Sequence, residues 1–167
     1  MPRITYSKAP REYPPSELYT LRRKLKTEIY HRRRIPGGQP MCPICGMGIT
    51  IEGGGDLHEV FFTRGDVQGV RDEESHHMIF HPCNVVLIHH GQCHLTAQHT
   101  LEGKRKCALQ IIAFEGAVQV RGYINSMACI FNNWLLAQEQ LNLVLEITPN
   151  DETEPRVFCA SGGPMSP

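Results

Sequence analysis

Cysteine and histidine are concentrated in one stretch, residues 42–99, and this concentration constrains the fold more than any other feature. Four of the seven cysteines and eight of the nine histidines lie there. The stretch opens with Cys42-x-x-Cys45, a spacing that lets two thiolates converge on one metal ion. An odd cysteine count argues against a closed set of disulfides. The stretch therefore predicts a metal site, and a structural ion can replace part of the apolar core of a small domain.

Tetrahedral zinc needs a second turn that supplies two more ligands. His90 and Cys93 repeat the two-residue spacing, and Gly91 between them helps the turn to close. His89 is the alternative to His90, and Cys83 is a further candidate. A redox dithiol would need a βαβ context, which the pattern lacks. We expect a structural zinc held by Cys42, Cys45, His90 and Cys93.

The remaining polar residues of the stretch suggest a second site. Asp56 and His58 are two residues apart on a predicted strand and so share one face. Asn84 opens a second apolar strand, and His94 and His99 lie on a helix predicted from Cys93 onward. Two strands and a helix that present such groups can hold a divalent cation beside a phosphate. Any one of these histidines, taken alone, is more simply a surface residue or an extra zinc ligand.

The order of these residues resembles the HNH endonucleases, of the zinc-stabilised ββα-metal (His-Me finger), phage-like type. That family places a Cys-x-x-Cys pair before an acidic/His pair on a first strand. An Asn then opens the second strand, and a ligand-x-x-Cys-His follows at the helix start. The matching segments here are Cys42-x-x-Cys45, Asp56-Leu57-His58-Glu59, Asn84-Val85-Val86-Leu87-Ile88 and His90-x-x-Cys93-His94. The resemblance covers residues 41–99, about a third of the chain.

The resemblance implies a divalent-metal-dependent DNA endonuclease. In that role His58 polarises or deprotonates the attacking water, and Asn84 holds the loop that orients it. His94, with Asp56 and His99, holds a Mg²⁺ or Mn²⁺ ion at the scissile phosphate. The zinc is structural, because four protein ligands leave no open position.

Three departures from the family pattern leave alternatives open. The first-strand pair is His58-Glu59, so either His58 is the base or it is a metal ligand with Glu59 in the position of the base. The spacing from Asn84 to Cys93 is one residue long, which leaves His89 and His90 both possible. Gln98 stands four residues after His94, where a further ligand is expected, and His99 comes one residue later.

The sequence predicts a central core with an extension on each side. Residues 1–40 form a basic arm, with ten Lys/Arg against three Glu in a chain of zero net charge. Residues 41–106 form the nuclease core, 107–147 a helical extension and 148–167 a disordered tail. Helices are predicted over residues 16–31, 107–114, 117–125 and 124–143. The predicted fold class is α+β: a small zinc-pinned ββα-metal core with helical N- and C-terminal extensions.

The basic arm predicts a polyanionic partner, here DNA. The residues expected to contact its phosphates are Arg22, Arg23, Lys26, Arg32, Arg33 and Arg34. Alternative functions are an inactive zinc-binding DNA module and a structural zinc protein that binds a partner through the face of Trp134. No apolar run long enough for a membrane span or a signal peptide is present, so we expect a cytoplasmic protein, or a phage protein acting in the host cytoplasm.

Overall fold

The computed structural model describes residues 15–50, 52, 55–66, 78–149, 158–159 and 163–164. Its main elements, in chain order, are α1 (Pro15–Arg32), β1 (Gly55–Glu59), β2 (Val85–His89), α2 (Gln92–His99), α3 (Leu101–Glu115), α4 (Ala117–Phe131) and α5 (Trp134–Ile147). Mixed helices and a small antiparallel sheet agree with the predicted α+β class. Among the described residues, no helix combines the length and the apolar character needed to cross a membrane.

Strands β1 and β2 form an antiparallel pair whose register decides which side chains share a face. Asp56 lies opposite Ile88, and His58 lies opposite Val86. Directly opposed residues of an antiparallel pair project to the same side of the sheet. Asp56 and His58 therefore share one face, as predicted, and Glu59 lies on the other.

Helix α2 follows β2 after a tight turn. Gly91 adopts a φ of 67°, a left-handed conformation that glycine reaches without steric cost. At the other end of α2, the Thr100 side chain caps α3 by accepting a hydrogen bond from the Gly103 N–H at 2.9 Å. A Cβ on Gly103 would stand 2.3 Å from the Thr96 carbonyl oxygen, so glycine permits the close approach of α2 and α3.

One hydrophobic core joins α1, the sheet and the C-terminal helices. Its fully buried members include Ile29 of α1, Val86 of β2, Ile111 of α3, Ile124 of α4 and Val144 of α5. Leu25 and Ile29 of α1 are buried and Leu21 packs against the core, so one face of this predicted helix is apolar. The helical prediction for residues 107–114 is confirmed as part of α3, which also spans the predicted boundary at residue 106.

The continuous helix predicted over residues 124–143 is wrong. Two helices, α4 and α5, meet at Asn132 and Asn133. Asn132 adopts the left-handed conformation with a φ of 50° and ends α4. Asn133 then caps α5, since its side chain accepts a hydrogen bond from the Leu136 N–H at 3.3 Å. An Asn pair inside an apolar helical repeat is thus a helix boundary.

The two ends of the chain are described only in part. Residues 1–14 of the predicted basic arm lie outside the described residues, as does most of the predicted disordered tail. Within that tail, β3 (Phe158–Cys159) pairs antiparallel with β4 (Gly163–Pro164). The predicted division of the chain at residues 40, 106 and 147 stays a prediction.

Candidate metal centre and histidine pair

The first half of the metal site is a tight backbone turn. The Cys42 N–H donates to the Met47 carbonyl and the Gly46 N–H donates to the Cys42 carbonyl, both at 2.9 Å. Gly46 has a φ of 71°, which lets the chain reverse directly after Cys45. This turn presents Cys42 and Cys45 to the end of β2 and the start of α2.

Four ligand atoms converge at this point. The side chains of Cys42, Cys45, His89 and Cys93 bring one ligand atom each to within 4.8 Å of all the others. Cys45 Sγ lies 3.3 Å from His89 Nδ1. A tetrahedral ion with metal–sulfur bonds of about 2.3 Å holds its ligands about 3.8 Å apart. The group could therefore hold a metal ion, and its three sulfurs and one nitrogen are compatible with structural zinc.

The fourth member of the converging group is His89, the alternative that the sequence left open, and not His90. Neighbouring residues at a strand end point to opposite faces. His89 is the last residue of β2 and turns toward the cysteines, whereas His90 turns toward Asp56, with Nδ1 and Oδ2 2.6 Å apart. The alternative Cys83 is also outside the group; burial raises the pKa of its thiol to about 11.

The thiols of the group respond to one another's charge. Burial raises the pKa of Cys93, and hydrogen bonding to Cys45 and the charge of Cys42 raise it further, to about 12. Burial also acts to raise the pKa of Cys42, but hydrogen bonds from the Cys45 and His89 backbone outweigh it and bring that pKa to about 7. Thiolates crowded in this way repel one another, and a bound divalent cation would relieve the repulsion.

A pair of histidines lies beside the metal centre, on the other face of the sheet. The rings of His58 on β1 and His94 on α2 meet edge to face, with centroids 5.1 Å apart. His94 is the third residue of α2, directly after the candidate ligand Cys93. The turn that brings Cys93 to the metal centre therefore also brings His94 to His58. This contact agrees with the predicted grouping of the two histidines.

His58 is held in its neutral form. Burial, together with the charges of His94 and Lys104, lowers its pKa to about 4. Only 9% of the residue is exposed. A neutral imidazole keeps a free lone pair near pH 7, which a metal ion or a proton can use.

Asn84 holds the chain that follows β1. Its Oδ1 accepts hydrogen bonds from the N–H groups of Phe61 and Phe62 at 2.9 and 3.0 Å. Its Nδ2 donates to the carbonyls of Phe62 and Ile79 at 2.7 and 3.0 Å. The residue is fully buried, so these four bonds satisfy backbone groups that water cannot reach. The predicted role of Asn84 in holding a loop has this structural basis.

The other ligands predicted for a catalytic ion are not assembled. Within the part of the chain that the structure describes, the cysteine–His89 group is the one set of three or more such ligand atoms found to converge. Asp56 pairs with His90, and His99 is exposed at the end of α2. Gln98, the alternative to His99, is exposed as well.

Glu59 does not lie beside His58. It is on the opposite face of β1, and its carboxylate pairs with the Arg64 guanidinium at 3.3 Å. Its side chain is 10% exposed. The two candidate bases from the sequence thus face different sides of the sheet.

The basic residues divide into exposed and internal ones. Arg23 and Arg34 are exposed, and Arg22 and Lys26 are half-buried. Arg33 is 2% exposed, so its predicted phosphate contact was wrong. Its guanidinium donates to the carbonyls of Val85 and Pro82, each at 2.7 Å, and pairs with Glu115 at 3.0 Å.

Arg32 shares that carboxylate. Its Nη2 lies 2.6 Å from Glu115 Oε2, and its Nη1 lies 3.4 Å from Glu28. Two arginines of the predicted DNA-contacting set are thus engaged within the protein. In the sequence, both arginines belong to a basic cluster that is typical of phosphate binding. Their pairing with Glu115, which lies far along the chain, was not predictable from that pattern.

Lys104 is a polar residue near the histidine pair that the sequence did not single out. It lies in the first turn of α3, and its charge acts on His58. Burial lowers the pKa of Lys104, while the carboxylates of Glu139 and Asp66 act against that effect. No motif surrounds Lys104, and its position depends on how α3 packs on the sheet.

Comparisons with known protein families, curated proteins and solved structures gave no match. A proposal about the function of this protein therefore depends on the geometry of the described residues.

Proposed function

We propose that this protein is a divalent-metal-dependent DNA endonuclease of the HNH type with a structural zinc. The observation that carries the proposal is the contact of His58 with His94 across β1 and α2. Two imidazoles whose centroids are 5.1 Å apart can both face one cation. Such a cation supplies a Lewis acid for a phosphate oxygen and lowers the pKa of bound water.

The surrounding residues support the same proposal. Zinc held by Cys42, Cys45, His89 and Cys93 fastens the turn, the strand end and the start of α2 together. Asn84 fixes the segment after β1 against the 78–84 segment. The two sites share α2, so the structural ion positions His94.

A DNA substrate is supported by the basic residues that stay accessible. Arg22, Arg23, Lys26 and Arg34 lie on or just after α1. Phosphate contacts of this kind bring affinity that falls steeply with salt and carry little sequence information. We expect weak intrinsic sequence specificity.

The test is nicking of supercoiled plasmid with Mg²⁺ or Mn²⁺. The wild type should nick the plasmid, and His58→Ala and His94→Ala should each lose at least 100-fold in rate, on the order of the contribution of a positioned acid–base or metal-binding group. His31→Ala is the matched control, because His31 is an exposed histidine on α1, and it should cut normally. If the His58→Ala and His94→Ala proteins both nick the plasmid at the wild-type rate, the proposal is contradicted.

A second candidate function is a zinc-binding DNA module that does not cut. The observation that favours it is the pairing of Glu59 with Arg64 on the face away from His58, which separates this candidate base from the histidine pair. If the protein shifts plasmid on a gel at low salt but no metal ion supports nicking, this second function is correct.

A further inference from the structure

The three cysteines of the metal centre differ in how far solvent reaches them. Cys45 is exposed, Cys93 is half-buried and Cys42 is buried, with 1% of its surface exposed. The reactivity of a cysteine toward oxidants follows its exposure and its thiolate character. A cysteine bound to zinc is held as a thiolate, so in the zinc-bound protein Cys45 combines both properties. Cys45 is therefore the sulfur of this centre that an oxidant in solution reaches first.

The described cysteines outside the centre lack this combination. Cys83 and Cys107 are 5% and 0% exposed, and buried structural cysteines are inert. Cys129 on α4 is half-buried and is not a member of the converging group. Cys129 thus provides an internal reference, because it is a partly accessible thiol that the metal ion would not deprotonate.

A second sulfur is positioned to react with an oxidised Cys45. The ligand atoms of the centre all lie within 4.8 Å of one another, and the Cys93 side chain hydrogen-bonds to Cys45 and to Cys42. A disulfide joins its sulfurs at about 2.05 Å, so two of these sulfurs need to approach by less than about 3 Å. Cys42 is the less suitable partner, because its sulfur is buried and accepts hydrogen bonds from the Cys45 and His89 backbone. The half-buried Cys93 is therefore the expected partner of Cys45.

We propose that Cys45 is an oxidation site, at which a peroxide converts the zinc centre into a Cys45–Cys93 disulfide and releases the metal ion. The Cys45 thiolate attacks one peroxide oxygen, the O–O bond breaks, and Cys45 becomes a sulfenic acid as hydroxide leaves. The Cys93 thiolate then attacks the Cys45 sulfur, and a second hydroxide leaves as the disulfide forms. The two thiolates lose two electrons in total, and these electrons reduce the peroxide.

Zinc leaves because the oxidised centre keeps only two of its ligands. Cys42 and His89 remain, whereas a structural zinc site takes four ligands. Cys93 directly precedes His94, so oxidation also removes the ion that would fix the start of α2. The proposal concerns the metal centre and holds whether or not the protein cuts DNA.

The experiment treats the zinc-loaded full chain with hydrogen peroxide and follows zinc release with a zinc-responsive dye. Dimedone traps the sulfenic acid in a parallel sample, and tryptic peptide mapping by mass spectrometry locates the trapped cysteine and the disulfide. Arg64 and Arg71, which trypsin cleaves, lie between the two proposed partners. A Cys45–Cys93 disulfide therefore links two tryptic peptides. No lysine or arginine separates Cys42 from Cys45, so a disulfide between these two would lie within one peptide.

The wild type alone can support or overturn the proposal. We expect dimedone on Cys45, two peptides linked through Cys45 and Cys93, and about one zinc ion released per disulfide. Cys129 should be oxidised about ten-fold more slowly than Cys45. Zinc that stays bound after Cys45 is oxidised, a disulfide between Cys42 and Cys45, or oxidation of Cys129 before Cys45 would overturn the proposal.

Two variants assign the effect to Cys45. Cys45→His keeps a zinc ligand without an oxidisable sulfur, so it should hold zinc and release it to peroxide about ten-fold more slowly than the wild type. Cys129→Ser is the matched control, because Cys129 lies outside the centre, and it should release zinc at the wild-type rate. Release at the wild-type rate from zinc-loaded Cys45→His would overturn the proposal. If that variant holds no zinc, the disulfide mapped in the wild type decides.

Discussion

At the scale of single residues, the chemistry of the site depends on neighbours that face opposite sides of one hairpin. The ligand atom of His89 lies with those of three cysteines, and His90, the next residue, pairs with the Asp56 carboxylate. His58 faces His94, and Glu59 faces Arg64. The two residues of each pair are adjacent in sequence but have different partners, because neighbouring side chains of a strand point to opposite faces.

Replacing His89 and His90 in turn tests this division. His89→Ala should lose bound zinc and more than about 4 kcal/mol of stability, since loss of a structural metal ranks among the most destabilising changes. His90→Ala removes only an exposed ion pair and should cost less than about 1 kcal/mol. Zinc content and urea denaturation measure both effects. Equal zinc content in the two variants would contradict the assignment of His89.

Asn84 is expected to be essential for stability whether or not the protein cuts DNA. Asn84→Ala leaves two N–H groups and two carbonyls unpaired in the interior, and should cost about 3 kcal/mol or more. Asn142→Ala is the control, because Asn142 is exposed and accepts a hydrogen bond from the exposed Gln138 side chain. Urea denaturation provides the free energies of unfolding. Similar losses in the two variants would show that the four hydrogen bonds do not stabilise the loop.

His58 should make stability depend on pH. Its pKa is lowered from 6.5 to about 4 in the folded protein, so the unfolded chain takes up the proton first as the pH falls. The stabilisation is complete above the unfolded pKa and is lost between about pH 6.5 and 4, with a loss of about 2 kcal/mol on going from pH 7.5 to 5. Denaturation at several pH values with zinc present measures it. His58→Gln should flatten the profile in this range, and an unchanged profile would remove His58 as the cause.

At the scale of elements, the strand–turn–helix unit of β2 and α2 serves both sites. Gly91 lets α2 start directly after the strand, so Cys93 reaches the metal centre and His94 reaches His58. A metal ion bound by the cysteine–His89 group would therefore also fix the position of His94. The C-terminal helices depend on another sharp boundary, at Asn132 and Asn133.

The conformation of Asn132 predicts which substitution the helix boundary tolerates. Both Asn132→Gly and Asn132→Ala lose the hydrogen bond from the Trp134 indole, so the two variants differ mainly in backbone preference. Glycine adopts a φ of 50° freely and alanine does not, so the Gly variant should be more stable than the Ala variant by about 1 kcal/mol. Thermal unfolding of the pair measures the difference. An alanine variant of equal stability would mean that the boundary can adopt another conformation.

At the scale of the whole molecule, Arg33 fastens the N-terminal helix to the rest of the protein. It follows α1 and reaches carbonyls at the start of β2 together with Glu115 at the end of α3. Burial lowers its pKa, and the hydrogen bond and charge of Glu115 act to keep it protonated. The basic segment is therefore part of the core as well as a candidate DNA-binding surface.

Removing Arg33 should destabilise the protein far more than removing its neighbour. Arg33→Met leaves the Glu115 carboxylate without its buried partner and should cost about 3 kcal/mol or more. Arg34→Met is the control: Arg34 is exposed, and its side chain donates one hydrogen bond to the Gly38 carbonyl, so it should cost less than about 1 kcal/mol. Urea denaturation compares the two. A cost below 1 kcal/mol for Arg33→Met would mean that α1 is held by apolar contacts alone.

The sequence by itself determined the elements whose signal is local. Helix α1 follows from a stripe of leucines and isoleucine, and the hairpin and α2 follow from short apolar runs bounded by turns. Cys42, Cys45 and Cys93 were predictable as a converging set because ligand spacing within each turn is a short-range property. The grouping of His58 with His94 was predicted from the strands and helix expected to carry them and from their order in the HNH pattern.

Only the tertiary structure decided which of two adjacent residues each site uses and which charges lie inside. His89 and His90 are equivalent as letters, and the face each occupies depends on strand register and on where β2 ends. Arg33 looks like its exposed neighbours until Glu115, 82 residues away, is packed against it. Lys104 and Gln140 belong to no motif and meet in one cleft only because α3 packs beside α5. Burial and register arise from long-range packing, which spacing along a chain does not encode position by position.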